Sequence, residues 1–168
     1  MKGVHKLFLL IGTENVPVEL TQALYAYGLA KKAGLKHVTY VSVYKADQFL
    51  EVPHFANKFA VEEAIRVGGV PYTILRPAYF AQNERRLKPE LTGLGVYPIP
   101  AGNQGLAVVD VRDLAQAAAI SLTEEGHNGK TYESGFVRVV AWSRCGGHMV
   151  EAAAQRNSLR GTRRLRRL

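Results

Sequence analysis

Cysteine is nearly absent. The 168-residue chain carries one, Cys145, together with one tryptophan and two methionines. A lone thiol excludes an intramolecular disulfide framework, and no Cys/His group has zinc-ligand spacing. Long hydrophobic runs are missing too. The longest, Leu7–Ile11, is too short to span a bilayer. It also makes a poor secretory signal, because no small-residue cleavage site follows it. What is present has globular proportions, 47% apolar and 21% charged. The length suits one domain with its own core. The expectation is a cytoplasmic α/β domain with no membrane partner.

Acid is scarce at the C-terminal end, and this locates the net charge of +8. Residues 1–136 carry 14 basic and 13 acidic side chains, whereas residues 137–168 carry eight arginines, no lysine and the single acid Glu151. The basicity belongs to a tail and says nothing about the face of the folded part. The expected organisation is a folded domain over residues 1–135 and an arginine-rich, poorly ordered tail over 136–168. Nucleic acid is not an expected partner, because no folded DNA-binding motif accompanies the arginines.

The apolar run Lys6–Ile11, ending at Gly12-Thr13, reads as a strand buried on both faces, as in a parallel sheet. Pro17 opens a helix to about Ala33, with Val18, Leu24, Leu29 and Ala30 as inward positions and Gly34 as its stop. His37–Val43 is a β-branched second strand. A helix over about Phe55–Val67 follows, with Phe59, Ala60, Ala64 and Val67 at helical spacing. Pro71–Leu75 is a third strand. This β-α-β-α-β order with short connections predicts parallel strands, right-handed crossovers and flanking helices. Asn83–Gly105 reads as irregular. Asp110 or Asp113 is placed to cap a helix over about Arg112–Leu122, and Gly129–Glu133 reads as one more strand. Val137–Ala141 could extend a strand.

The stretch His54-Phe55-Ala56-Asn57-Lys58-Phe59-Ala60-Val61-Glu62-Glu63-Ala64, followed by Pro71-Tyr72-Thr73-Ile74-Leu75-Arg76-Pro77, carries a resemblance. So do Gly12-Thr13, Val41-Ser42-Val43 and Val109-Asp110-Val111-Arg112-Asp113-Leu114-Ala115. In this order, over about residues 2–135, they resemble the NmrA-like family, atypical members of the short-chain dehydrogenase/reductase superfamily. The resemblance implies a Rossmann-type fold that binds NAD(P), with NADP(H) favoured, in members that act as reductases or as redox-sensing regulators. It also implies that Lys6–Ile11 matches the family's fourth strand. The chain is then truncated at the front, a partial Rossmann-like parallel sheet without the glycine fingerprint. Gly68-Gly69 and Gly146-Gly147 do not replace that fingerprint, since neither lies between a strand and a helix start. Cofactor binding by this chain alone is expected to be weak. The strand Lys6–Ile11, left at a sheet edge, is expected to favour a homo-oligomer.

The resemblance also names candidate site residues. The superfamily places a tyrosine four residues before a lysine, on one helix face. Here the pair is His54 and Lys58. Lys58 would donate to the nicotinamide ribose; its plain alternative is a solvated helix lysine. His54 stands where the phenol would be, either as a proton donor or as a polar residue near a helix start. Ser42 occupies the strand-end position of a substrate-orienting hydroxyl, or is a simple turn residue. Gly12 and Thr13, at the end of the first strand, lie where the cofactor would cross. Pro77, Tyr79 and Phe80 pack in relatives against the nicotinamide end, although the two aromatics also suit a core. Gly93–Gly105, with Tyr97, Pro98 and Pro100, is a candidate substrate loop. The expected reaction is hydride transfer from NAD(P)H to a small carbonyl or quinone-like acceptor. The alternative is a non-enzymatic NAD(P) sensor acting through protein partners.

Overall fold

Asn15 starts the first helix: its side chain accepts a hydrogen bond from Val18 N at 3.4 Å. Pro17 sits in the first turn, where a missing N–H costs nothing, and Lys31 and Lys32 face the negative end of the helix dipole. A computed structural model describes residues 4–12, 15–95, 99 and 106–138. Thr13, Tyr97, Pro98, Pro100, Cys145 and the arginine tail beyond 138 lie outside the described residues.

The chain forms two compact units. The first comprises residues 1–78 and 114–135. It contains β1 (Lys6–Leu9), α1 (Val16–Lys32), β2 (His37–Val41), α2 (Pro53–Val67), β3 (Tyr72–Pro77) and β6 (Lys130–Ser134), with most of α4 (Val111–Thr123). Its four strands lie in the order β1-β2-β3-β6, every pair parallel. The α/β fold class and the parallel sheet expected from the sequence are therefore present. The core joins Ala23, Tyr27 and Ala30 of α1 and Val61 and Ile65 of α2 to Val38 and Tyr40 of β2.

The second unit comprises residues 79–113 and 136–168. In it β4 (Tyr79–Phe80) runs parallel to β5 (Leu106–Val109), and β5 runs antiparallel to β7 (Phe136–Arg138). A 3₁₀ segment, Ala81–Leu87, leads into α3 (Lys88–Gly93). Asp110 accepts from Arg112 N at 2.8 Å and so caps the start of α4. Gln82 braces that cap, donating to Asp110 Oδ1 at 2.9 Å and accepting from Val111 N at 3.1 Å. No helix among the described residues is long and apolar enough to cross a membrane.

Four expectations need correction. The inward face of α1 is Glu19, Ala23, Tyr27 and Ala30, while Val18, Leu24 and Leu29 are exposed. The inward face of α2 is Lys58, Val61, Glu62 and Ile65, while Val67 is 83% exposed. In both helices an ion-paired residue lies on the buried side, Glu19 in α1 and Lys58 and Glu62 in α2. The strand β1 is not buried on both faces: Lys6 and Phe8 on one face are exposed, while Leu7 and Leu9 on the other are half-buried and buried. The first part of the region read as irregular, Asn83 to Gly93, is helical, continuing a 3₁₀ segment that starts at Ala81.

Candidate functional site

In the first unit α2 begins at Pro53, so His54 and Lys58 stand one turn apart on the same face. Lys58 is not a solvated helix lysine. It is 5% exposed, and its ammonium lies 2.6 Å from Glu19 Oε1 and 2.8 Å from the carbonyl oxygen of Ile11, with that of Val41 at 3.5 Å. The Tyr40 ring lies beneath it at 5.6 Å. Ile11 follows the carboxyl end of β1 and Val41 closes β2. The charge of Lys58 therefore sits where ligands bind in open α/β sheets, outside the carboxyl ends of the strands.

Glu19, from the first turn of α1, joins this pair. One carboxylate oxygen meets Lys58, and the other lies 3.3 Å from His54 Nδ1. The Glu19 side chain is almost completely buried, and neither oxygen has a regularly aligned hydrogen bond, so charge attraction is what compensates its burial. The His54 side chain is 44% exposed. Tyr40 does not supply the missing phenolic donor. Burial first, then Glu19 and Glu62, push its phenol far above the ordinary range.

Ser42 follows β2, with its N–H on the Leu75 carbonyl at 2.8 Å. Alternation along the strand puts it on the sheet face of Tyr40, the face that α2 covers. Its hydroxyl is buried without a hydrogen-bond partner. Ser134, at the carboxyl end of β6 and in register with Pro77, also has an unpartnered hydroxyl, which the sequence reading missed. Pro77 ends β3 in the first unit. Tyr79 and Phe80 form β4 in the second unit, where burial and the neighbouring Glu84 raise the Tyr79 phenol.

A nicotinamide cofactor can be tested against these residues. A buried cation and a buried, unpartnered hydroxyl on one sheet face suit the hydroxyl and amide groups of its ribose-nicotinamide end. The pyrophosphate end has no counterpart among the described residues. Gly12 is exposed, with nothing within 4 Å of where a Cβ would stand, so it forms no cradle for close backbone approach. A shallow polar depression of about 300 Å³ lies at the opposite end of the sheet, near Lys6 and His37 at the starts of β1 and β2. It is remote from Lys58. Among the described residues no cluster of three or more His, Cys, Asp or Glu is arranged to hold a metal.

Glu19 was hidden from sequence reasoning because the more apolar residues of α1 drew the inward face elsewhere. A cue existed in the helical spacing of Glu19, Ala23, Tyr27 and Ala30, a continuous stripe with one acid at its head.

A model of the NmrA-like family matches residues 1–133. Quinone oxidoreductase 2 of Escherichia coli (strain K12) is 33% identical over 136 residues, which are 79% of this chain and 46% of that protein. The structure of an NADPH-dependent quinone oxidoreductase from Escherichia coli complexed with NADPH superposes with a TM-score of 0.71 at 32% identity, covering 79% of this chain and 46% of the other. The Citrobacter sp. triphenylmethane reductase complexed with NADP(H) matches with a TM-score of 0.71 at 32% identity, over 81% of this chain and 48% of the other. The chain spans about half the length of the relatives it matches.

Proposed function

This chain belongs to the NmrA-like family, and from that premise we propose that its first unit is the nicotinamide-side half of an NADP(H)-dependent reductase site acting on a quinone-like or small carbonyl acceptor. The observation that carries the reading is the buried Lys58 ammonium at the carboxyl ends of β1 and β2, one helical turn from His54. The choice of NADP(H) and of a quinone-like acceptor follows relatives whose structures hold NADPH or NADP(H) and one of which is a quinone oxidoreductase.

Bound there, the reduced nicotinamide supplies the hydride. Lys58 donates to the ribose hydroxyls, exchanging its longest contact, the Val41 carbonyl at 3.5 Å, for the ligand. Ser42 places its free hydroxyl on an acceptor oxygen, and His54, reachable by solvent, moves the proton. The sensor reading keeps one argument, the imidazole at the superfamily's tyrosine position.

Cofactor affinity of this chain alone is expected to be low. Two or three charge-assisted bonds to the pyrophosphate, each contributing about 1.5–3 kcal/mol, have no donors among the described residues. Their loss turns a micromolar site into roughly a millimolar one. Calorimetric titration with NADPH at moderate salt, paired with NADPH oxidation across a quinone panel, tests both statements. The expected result is weak binding, weaker still in Lys58→Ala, with turnover that falls in His54→Ala. Low-micromolar binding lost in Lys58→Ala would correct the affinity while keeping the site. Binding indifferent to Lys58 would overturn the site, and binding without turnover would favour the sensor.

A further inference from the structure

We infer that Glu19 is a positioning residue for His54: its carboxylate, anchored by Lys58, holds the imidazole with the proton on Nδ1 and so assigns Nε2 to the acceptor. This deepens the reading given above and rests on it.

Three observations converge. Glu19 comes from α1, whereas His54 and Lys58 come from α2, so the contact is made by the fold and not by one helix. The carboxylate is almost completely buried, yet both of its oxygens face nitrogens, Lys58 Nζ at 2.6 Å and His54 Nδ1 at 3.3 Å. The two nitrogens differ in surroundings. Lys58 is enclosed by Glu19, two backbone carbonyls and the Tyr40 ring, while the His54 side chain keeps 44% of its surface in solvent. A carboxylate fixed at one oxygen by an enclosed lysine leaves its other oxygen as a stationary acceptor. The 3.3 Å contact is not an aligned hydrogen bond as it stands, and an imidazole beside that oxygen compensates it only by turning an Nδ1–H toward it. A hydrogen bond so formed at one ring nitrogen decides the role of the other. Nε2, across the ring from Glu19, is the nitrogen left for a substrate.

In the imidazolium form both nitrogens carry protons. An acceptor of the quinone or conjugated-carbonyl class, reduced by the hydride that a bound reduced nicotinamide would supply as it is itself oxidised, would take the Nε2 proton of His54 on its oxygen. The N–H bond at Nε2 breaks as the O–H bond forms. The imidazole remains neutral with its proton on Nδ1, the form Glu19 accepts from. Solvent then restores the proton at Nε2. Glu19 itself neither gains nor loses a proton.

The test begins without any cofactor. Long-range ¹H–¹⁵N correlation spectra of the full chain, taken where His54 is neutral and assigned with His54→Gln, report which ring nitrogen carries the proton. The expected result is Nδ1–H in the wild type, moving toward the Nε2–H form in Glu19→Gln. A wild-type His54 with its proton on Nε2 overturns the inference without a variant, and so does a tautomer indifferent to Glu19→Gln in a folded protein. Turnover gives the second readout. With NADPH and a quinone, Glu19→Gln should lower kcat by roughly tenfold or more, a part of the 10²–10⁴-fold that a positioned proton donor contributes, with little change in KM for the quinone. An unchanged kcat overturns the inference. If the wild type neither binds NADPH nor reduces a quinone, the functional reading fails, and the tautomer still decides the role of Glu19.

Discussion

Arg76 shows what one buried side chain carries here. Its guanidinium donates to both oxygens of Glu62, at 2.9 and 2.8 Å, and to Asp47 and Glu133 at 3.0 and 3.2 Å. The hydrogen bonds to Glu62 outweigh burial and hold its pKa above the ordinary arginine value. Arg76→Leu leaves the fully buried Glu62 with Arg66 as its remaining cation. The expected loss is about 3 kcal/mol, read from urea unfolding, since removing one partner strands a charge. His37 gives a pH dependence. Burial first, then Lys6 and His127, lower its pKa below 6.5, and Nε2 pairs with the Thr73 hydroxyl at 3.1 Å. The unfolded chain then binds the proton first as pH falls, so the stability held above about pH 6.5 is lost progressively below it, until the folded form also takes up the proton. Unfolding midpoints at about pH 7.5 and about pH 5.5 should separate further in the wild type than in His37→Gln. Equal separations would exclude His37 as the source.

At the scale of elements, the contact between α1 and α2 depends on a missing side chain. Gly68 ends α2, and a Cβ built there would collide with the Tyr27 hydroxyl and lie 2.9 Å from the Ala64 carbonyl. Tyr27 is itself part of the core. Gly68→Ala should destabilise by about 1–3 kcal/mol through overpacking, and removing the colliding hydroxyl in Gly68→Ala/Tyr27→Phe should recover part of it, measured by thermal unfolding. The backbone at Gly68 has φ −71°, so the cost is one of space and not of conformation. The existence and order of α1 and α2 were legible, and Pro17, Lys31-Lys32 and Gly34 act as read at the ends of α1, whereas α2 starts at Pro53, before the expected Phe55. Their buried faces were not. Helical spacing selects a face by its apolar residues, but α2 buries Lys58 and Glu62 because Glu19 and Arg76 arrive from other elements to pair with them. No count within one helix contains that partner.

At the scale of the molecule, the sheet order leaves β1 at an edge among the described residues, with Phe8 41% and Leu10 51% exposed. Unpaired strand groups beside apolar side chains favour association. We expect this chain, studied by itself, to sediment as oligomers at micromolar concentration. Phe8→Lys should shift it toward monomer, because a charge on an edge strand opposes pairing. A wild-type monomer in sedimentation velocity would remove the edge as an adhesive surface.

The sequence by itself determined the parallel β-α-β-α-β path, the ends of α1, and the i, i+4 placement of His54 and Lys58. These follow from local rules, namely proline and glycine geometry, strand-forming runs and the helical repeat, which act over a few residues. Only the tertiary structure decided that Lys58 is enclosed, that Ser42 keeps an unpartnered hydroxyl, and that Glu19 stands between the two α2 residues. The physical reason is the range of the interaction. Glu19 and Lys58 are separated along the chain by the whole of β2 and most of α1. Their contact exists because parallel strands bring both helices over one sheet face, where a buried charge is tolerated only beside its opposite.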